Sequence, residues 1–183
     1  FALDLDIRRK ALEAVIGDSE KIRDLHERVG RVGLAIHRRC AELGLPLLLE
    51  DSGGRGRHLW GFLHEPLPVE LVHNFGRAVV KALAPRDAAL DLEFFPKQRR
   101  ARPDQLGNLI KLPLGVHQRT GRRGPLLDSS GEPIADAWGA LGSIERLRTK
   151  TFFSAFAALR AVAIESADAS TPGDAASKST DST

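Results

Sequence analysis

Phe1, Leu3, Leu5 and Ile7 alternate with Ala2, Asp4 and Asp6, the period-two pattern of a strand with one apolar face. The same alternation sends Asp4 and Asp6 out of the opposite face, roughly 6–7 Å apart. Arg8 to Gly17 reads as a short basic and apolar connector. Beyond it the period lengthens. Ile22, Leu25, Val29, Val32, Ile36, Cys40 and Leu43 recur at spacings of three and four, which predicts a long helix capped by Asp18 or Ser19 and stopped by Gly44.

Leu45 to Glu50 is nearly continuous in leucine and predicts a strand buried on both faces. It leads into Ser52-Gly53-Gly54-Arg55-Gly56-Arg57-His58, a glycine-rich turn with His58 at the mouth of a strand over Leu59–Leu63. Pro66 and Pro68 mark a turn, and Val72, Phe75, Val79 and Leu83 predict a second amphipathic helix. Asp91-Leu92-Glu93-Phe94-Phe95 reads as a strand ended by Pro96, with Asp91 and Glu93 on one face, and Leu106 to Pro113 as a further strand. Gly121 to Gly124 forms a loop tip carrying Arg122 and Arg123, and Pro133–Leu147 with Phe152–Ile164 supplies one or two terminal helices. Residues 167–183 hold only small and polar types, a composition that does not bury enough surface to order itself, so they read as a disordered tail or linker. No internal repeat is present. This mixture of strands and helices predicts one α+β domain over residues 1–166.

At 183 residues, with 42% hydrophobic and 28% charged, the chain suffices for a single core. The net charge is only +3, but the basic side chains cluster. Lys97, Arg99, Arg100, Arg102, Lys111, Arg119, Arg122 and Arg123 face one acid, Asp104, a bias that suits a polyanion, although a solvated loop has the same look. The single cysteine, Cys40, excludes an internal disulfide and a cysteine-rich zinc site, and its place on the helix stripe marks it as a buried hydrophobe. The remaining histidines besides His58 share no ligand spacing, so zinc is not expected. No stretch is long and apolar enough for a membrane span and no secretory signal opens the chain, so a cytoplasmic protein without a membrane partner is expected. The chain opens on Phe1 in a strand, as a fragment of something longer would.

Two features carry candidate chemistry. Carboxylates as close as Asp4 and Asp6 repel unless a cation lies between them, and Mg²⁺ or Mn²⁺ with oxygen ligands answers that cost; the plainer reading is an edge strand whose acids face water. The glycine-rich turn frees backbone N–H groups to converge on an anion, with Arg55 and Arg57 adding charge and His58 a donor; a solvated hairpin with a structural histidine is the plainer reading there. Trp60 and Phe62 could stack on bases, yet core packing suits them better, and Trp138 likewise.

An Asp-x-Asp strand, a Ser-Gly-x-x-Gly-x-His turn, an acidic strand with Phe-Pro-Lys-Gln, and Gly-Asn-Leu-Ile-Lys-Leu-Pro-Leu, in that order, resemble the catalytic core of archaeo-eukaryotic primases. The likeness is greatest to primase-polymerases of prokaryotic conflict systems of the TOTE type, including CRISPR-associated ones, and covers about residues 1–148. It implies an RRM-like mixed or antiparallel sheet flanked by helices, with C-terminal helices, and without the family's N-terminal module. It further implies template-directed nucleotidyl transfer: a DNA primase-polymerase that synthesises or extends primers on single-stranded DNA from nucleoside triphosphates. On the resemblance, Asp4, Asp6 and Glu93, with Asp91 as the substitute for Glu93, are catalytic and hold two Mg²⁺ or Mn²⁺ ions. Ser52, Gly53, Arg55, Gly56 and His58 cradle the nucleotide's phosphates, and Lys97, Gln98, Asn108 and Lys111 reach the nucleotide. Arg99, Arg100, Arg102, Arg119, Arg122 and Arg123 contact nucleic-acid backbone. A helicase, nuclease or reverse transcriptase is the expected kind of fused neighbour. A metal-dependent nuclease and a non-catalytic single-strand-binding module are the alternatives from other classes.

Overall fold

In the computed structural model, residues 1–100 and 107–168 are described, with side chains to residue 162. The elements run β1 (Ala2–Ile7), α1 (Arg9–Glu13), α2 (Ser19–Glu42), β2 (Leu48–Asp51), β3 (Gly56–Trp60), α3 (Val69–Leu83), β4 (Leu90–Phe95), β5 (Leu126–Leu127), α4 (Ala137–Gly142) and α5 (Thr149–Asp168). The strands form one antiparallel sheet in the order β4-β1-β3-β2-β5. Helices flank it, so the expected α+β class and antiparallel sheet are present.

One face of the sheet is the core. Leu3, Leu5 and Ile7 of β1, Leu49 of β2, Leu59 of β3 and Leu92 and Phe94 of β4 pack there with Leu25, Val29, Ile36 and Cys40 of α2 and Val72, Phe75 and Val79 of α3. Burial pushes the Cys40 thiol up to about 12, which removes it as a nucleophile. Asp18 is the cap of α2, its carboxylate accepting from the Lys21 N–H at 3.1 Å, and Gly44 follows the helix at φ +74. α5 lies on α3, with Phe152 against Phe75 at a ring-centroid distance of 4.6 Å.

The other face is half covered. Ala2, Leu48, Trp60, Phe95, Leu114 and Leu126 form a second apolar cluster there, closed over by Ile134, Ala137, Leu141 and Ile144 from α4 and its flanks. The remaining half, at the level of Asp4 and Asp6, carries the polar side chains.

Several sequence expectations change. The connector after β1 contains the short helix α1. β3 begins at Gly56, so His58 is in mid-strand rather than at its mouth. Leu106 is outside the described residues, and 107–113 form no strand. That segment has no strand beside it; Lys111 and Leu114 instead bond to Glu50 on the sheet's open face, and Gly115 turns back onto Leu112. The two-residue β5 was not foreseen, because its pairing with β2 is long-range. Trp138 is 68% exposed on α4 rather than in the core, whereas Trp60 is buried as expected. The proposed tail begins at residue 167, but Ala167 and Asp168 close α5, and the rest of it, 169–183, lies outside the described residues. Among the described residues no helix is long and apolar enough to cross a membrane.

Candidate active site

Strand register assembles the site. Glu93 stands opposite Asp4, Asp4 opposite His58, and His58 opposite Glu50, so four ionisable side chains form one row across β4, β1, β3 and β2 at strand spacings of about 4.8 Å. The next row holds Asp91, Asp6 and Gly56. Period-two alternation in every strand keeps both rows on the face away from the large helices. Glycine is required at position 56, because a Cβ there would collide with the Asp6 carboxylate and the Leu5 carbonyl.

The acids are neutralised unevenly. Asp6 is paired with Arg55 at 2.9 Å, Glu93 with Lys97 at 2.6 Å and Asp91 with Arg8 at 2.9 Å. Asp4 faces only His58 Nε2, at 3.5 Å, and its buried Oδ1 has no hydrogen-bond partner. Burial pushes the Asp4 carboxyl up to about 6; Asp6 and Glu93 push the same way, while His58 and Lys97 oppose them. A cleft of about 230 Å³ opens in front of Asp4, lined among others by Asp6, Arg55, His58, Lys111 and Arg119. A second, of about 390 Å³, shares Asp6 and Arg55 and is walled by Arg8, Arg9 and Lys10. Asp6 and Arg55 therefore line both grooves, and in the second Asp91 and Glu93 stand beside the three basic residues.

The donor set suits a hard divalent cation. Asp4 offers a buried oxygen that nothing else satisfies, and the flanking donors are carboxylates. As they stand, with Arg55 and Lys97 holding their partners, no three His, Cys, Asp or Glu side chains among the described residues form a metal-holding group.

The glycine-rich turn differs from its expected form. Its N–H groups are used internally: Gly53 donates to Asp51 Oδ1 at 2.8 Å, and Gly54 and Gly56 both donate to Ser52 Oγ at 3.1 Å. Ser52 is buried and lines the cleft, but its Oγ is occupied in shaping the turn. A second loop clamps it, as Thr120 Oγ1 donates to the Gly53 carbonyl at 2.7 Å and a Cβ on Gly53 would meet the Arg122 carbonyl at 2.9 Å. Arg55 points to the site, but Arg57 does not. It lies on the helix face, paired with Asp51 at 2.8 Å, where Gly30 and Gly33 of α2 make room for it. An odd-numbered position in β3 has no other choice.

The other expected residues divide. Lys111 lines the cleft but its Nζ is on Glu50 at 2.6 Å. Gln98 and Asn108 bond to each other and are not among the residues lining that cleft. Arg99 pairs with Glu70, Arg100 and Arg122 are exposed, and Arg123 donates to the Leu114 carbonyl. Arg102 lies outside the described residues.

Two residues at the site, Glu50 behind the cleft and His117 lining it, escaped the sequence reading. Glu50 is fully buried, accepting from Trp60 Nε1 at 2.8 Å, Lys111 Nζ at 2.6 Å, Leu114 N at 2.8 Å and His58 Nδ1 at 3.3 Å. Burial pushes its carboxyl up, but these four donations together outweigh burial and hold it below the usual carboxylate range. A carboxylate ending a strand read as buried on both faces was itself the signal, since such a charge demands partners. His117, whose ring packs on Gly54, gave no signal. Its partner turn is distant in sequence.

The family model described as the TOTE conflict system, archaeo-eukaryotic primase domain, matches residues 8–154. The chain belongs to this primase-domain family. Domains of the archaeo-eukaryotic primase kind are generally enzymes of primase-like nucleotidyl transfer and typically use divalent metal ions. The match takes in the glycine-rich turn, Glu50, His58 and Glu93 and begins just after β1; Asp4 and Asp6 precede it and stand beside His58, Glu93 and Asp91 through strand register. No curated protein matches the chain.

Proposed function

We propose that this primase domain synthesises or extends primers on a single-stranded DNA template. The observation that carries the reading is the row Glu93, Asp4, His58 with an unsatisfied Asp4 oxygen at the floor of a cleft flanked by Arg55, Lys111 and Arg119. Asp4, Asp6 and Glu93 would hold two divalent ions, Mg²⁺ or Mn²⁺, which when bound lower the pKa of the attacking 3′-hydroxyl and neutralise the triphosphate. Glu93 suits the third position better than Asp91, since it is opposite Asp4, whose Oδ1 is unsatisfied, while Asp91 is opposite Asp6.

The chain's own residues would bind and orient. Arg55 supplies donors to the nucleotide's phosphates, His58 turns its Nε2 edge toward them, Arg119 adds charge at the rim, and Arg8, Arg9 and Lys10 offer a second track for nucleic-acid backbone. The Ser52-centred turn holds Arg55 at its place without spending its own N–H groups on ligand. The 3′-oxygen forms a bond to the α-phosphorus, the bond to the bridging oxygen breaks, and pyrophosphate departs.

Primer synthesis and extension on single-stranded DNA, supplied with nucleoside triphosphates and Mn²⁺ or Mg²⁺, tests this. Asp4→Ala with Asp6→Ala abolishes product while Arg23→Ala, exposed on α2, keeps it. Wild-type synthesis by the double variant overturns the assignment. Hydrolysis of DNA by the wild type, without nucleotide-dependent thermal stabilisation, indicates a nuclease.

A further inference from the structure

Among the described residues the buried polar side chains are Glu50, Ser52 and His58, and all lie at this site. Ser52 is explained by the turn it shapes. Glu50 makes no direct approach to the cleft, yet three of its partners can act only as donors: an indole N–H, an ammonium and a backbone N–H. Three fixed donors on its two oxygens, one of them an ammonium, hold the carboxyl as a carboxylate, which can only accept. The nitrogen of His58 that faces it must therefore carry hydrogen, and the opposite nitrogen is the one that faces Asp4.

We propose that Glu50 is a positioning residue of the primase site: it fixes Nδ1 of His58 as the donor, aims Nε2 into the cleft beside Asp4, and pins the segment over the cleft through Lys111 and Leu114. Orientation of an imidazole by a carboxylate on its far nitrogen is a general device for presenting the near one. Here the device is doubled. The same carboxylate that aims the ring ties down Lys111, whose neighbours Leu109 and Ile110 line the cleft. Trp60 Nε1 completes the set of donors around Glu50 and carries the arrangement into the second apolar cluster. That His58 contacts nucleotide phosphate rests on the proposed function; the aim of its ring does not.

Long-range ¹H–¹⁵N spectra of the full chain, with the His58 signals identified by their loss in His58→Gln, read the ring directly. Nδ1 is protonated in the wild type; an unprotonated Nδ1 overturns the proposal, whether or not the protein polymerises. In Glu50→Gln the amide presents a donor to a donor-rich pocket, so Nδ1 gives up its proton, the charged anchor of the ring and of Lys111 is lost, and KM for nucleoside triphosphate rises on the order of tenfold, with kcat less affected. An unchanged tautomer and an unchanged KM overturn the proposal. Glu50→Asp, which keeps the charge, retains the Nδ1 proton and partly restores KM, and it serves in place of Glu50→Gln should that variant not fold. A protonated Nδ1 in a wild type that makes no primer would leave Glu50's role intact and remove the polymerase reading instead.

Discussion

Oδ1 of Asp4 lies 3.5 Å from Nε2 of His58 and, although buried, accepts no hydrogen bond. A carboxylate so placed is costly to ionise, and stability is the first place where the cost shows.

The Asp4 carboxyl titrates at about 6 in the folded chain, against 3.8 for an ordinary aspartate. Between about pH 4 and pH 6 the folded state therefore holds a proton that the unfolded state has released, and stability falls as pH rises through that window. The penalty is absent below pH 4 and complete above pH 6, at most about 3 kcal/mol. Asp4→Asn accordingly raises Tm at pH 8 in the presence of a chelator, and the gain shrinks toward pH 4. Thermal melts at the two pH values decide it; a gain of equal size at both contradicts the account.

Ser52 Oγ accepts from both Gly54 N and Gly56 N. Removing it leaves a buried N–H without a partner, so Ser52→Ala costs about 1–3 kcal/mol in urea unfolding. A variant as stable as the wild type, but weaker in nucleotide binding, would mean that the hydroxyl faces the ligand instead.

Arg100 and Arg122 are exposed in the basic stretch, whereas Arg57 is under α2 and paired with Asp51. Binding of single-stranded DNA, followed by anisotropy across a salt series, separates them. Each of Arg100→Ala and Arg122→Ala lowers the slope of log K against log salt by about 0.7, and Arg57→Ala leaves the slope alone while lowering stability. A reduced slope for Arg57→Ala would place that side chain on the wrong face.

The alternation of Phe1, Leu3, Leu5 and Ile7 with Asp4 and Asp6, and of Leu92 and Phe94 with Asp91 and Glu93, settled which side chains share a face, because a strand offers each residue only two directions. The long helix from Ser19, its Asp18 cap and the burial of Cys40 were legible for the same local reason, the helical period and the chemistry of its ends. Register was not local. Which acid stands opposite Asp4, and that Glu50 stands beside His58, depended on hydrogen bonding between strands far apart in sequence. The segment 107–113 looked like a strand because its apolar residues are dense, but with no neighbouring strand to pair with it became the cover of the cleft, held by Lys111 on Glu50. Arg57 shows the two levels together: charge and proximity to glycines suggested the phosphate side, while the pleat, counted from Gly56, put it under the helix. The order of residues thus fixed the faces, and only the folded sheet fixed the neighbours, because side-chain direction follows from the chain's own geometry whereas pairing is a bargain among segments competing for the same backbone partners.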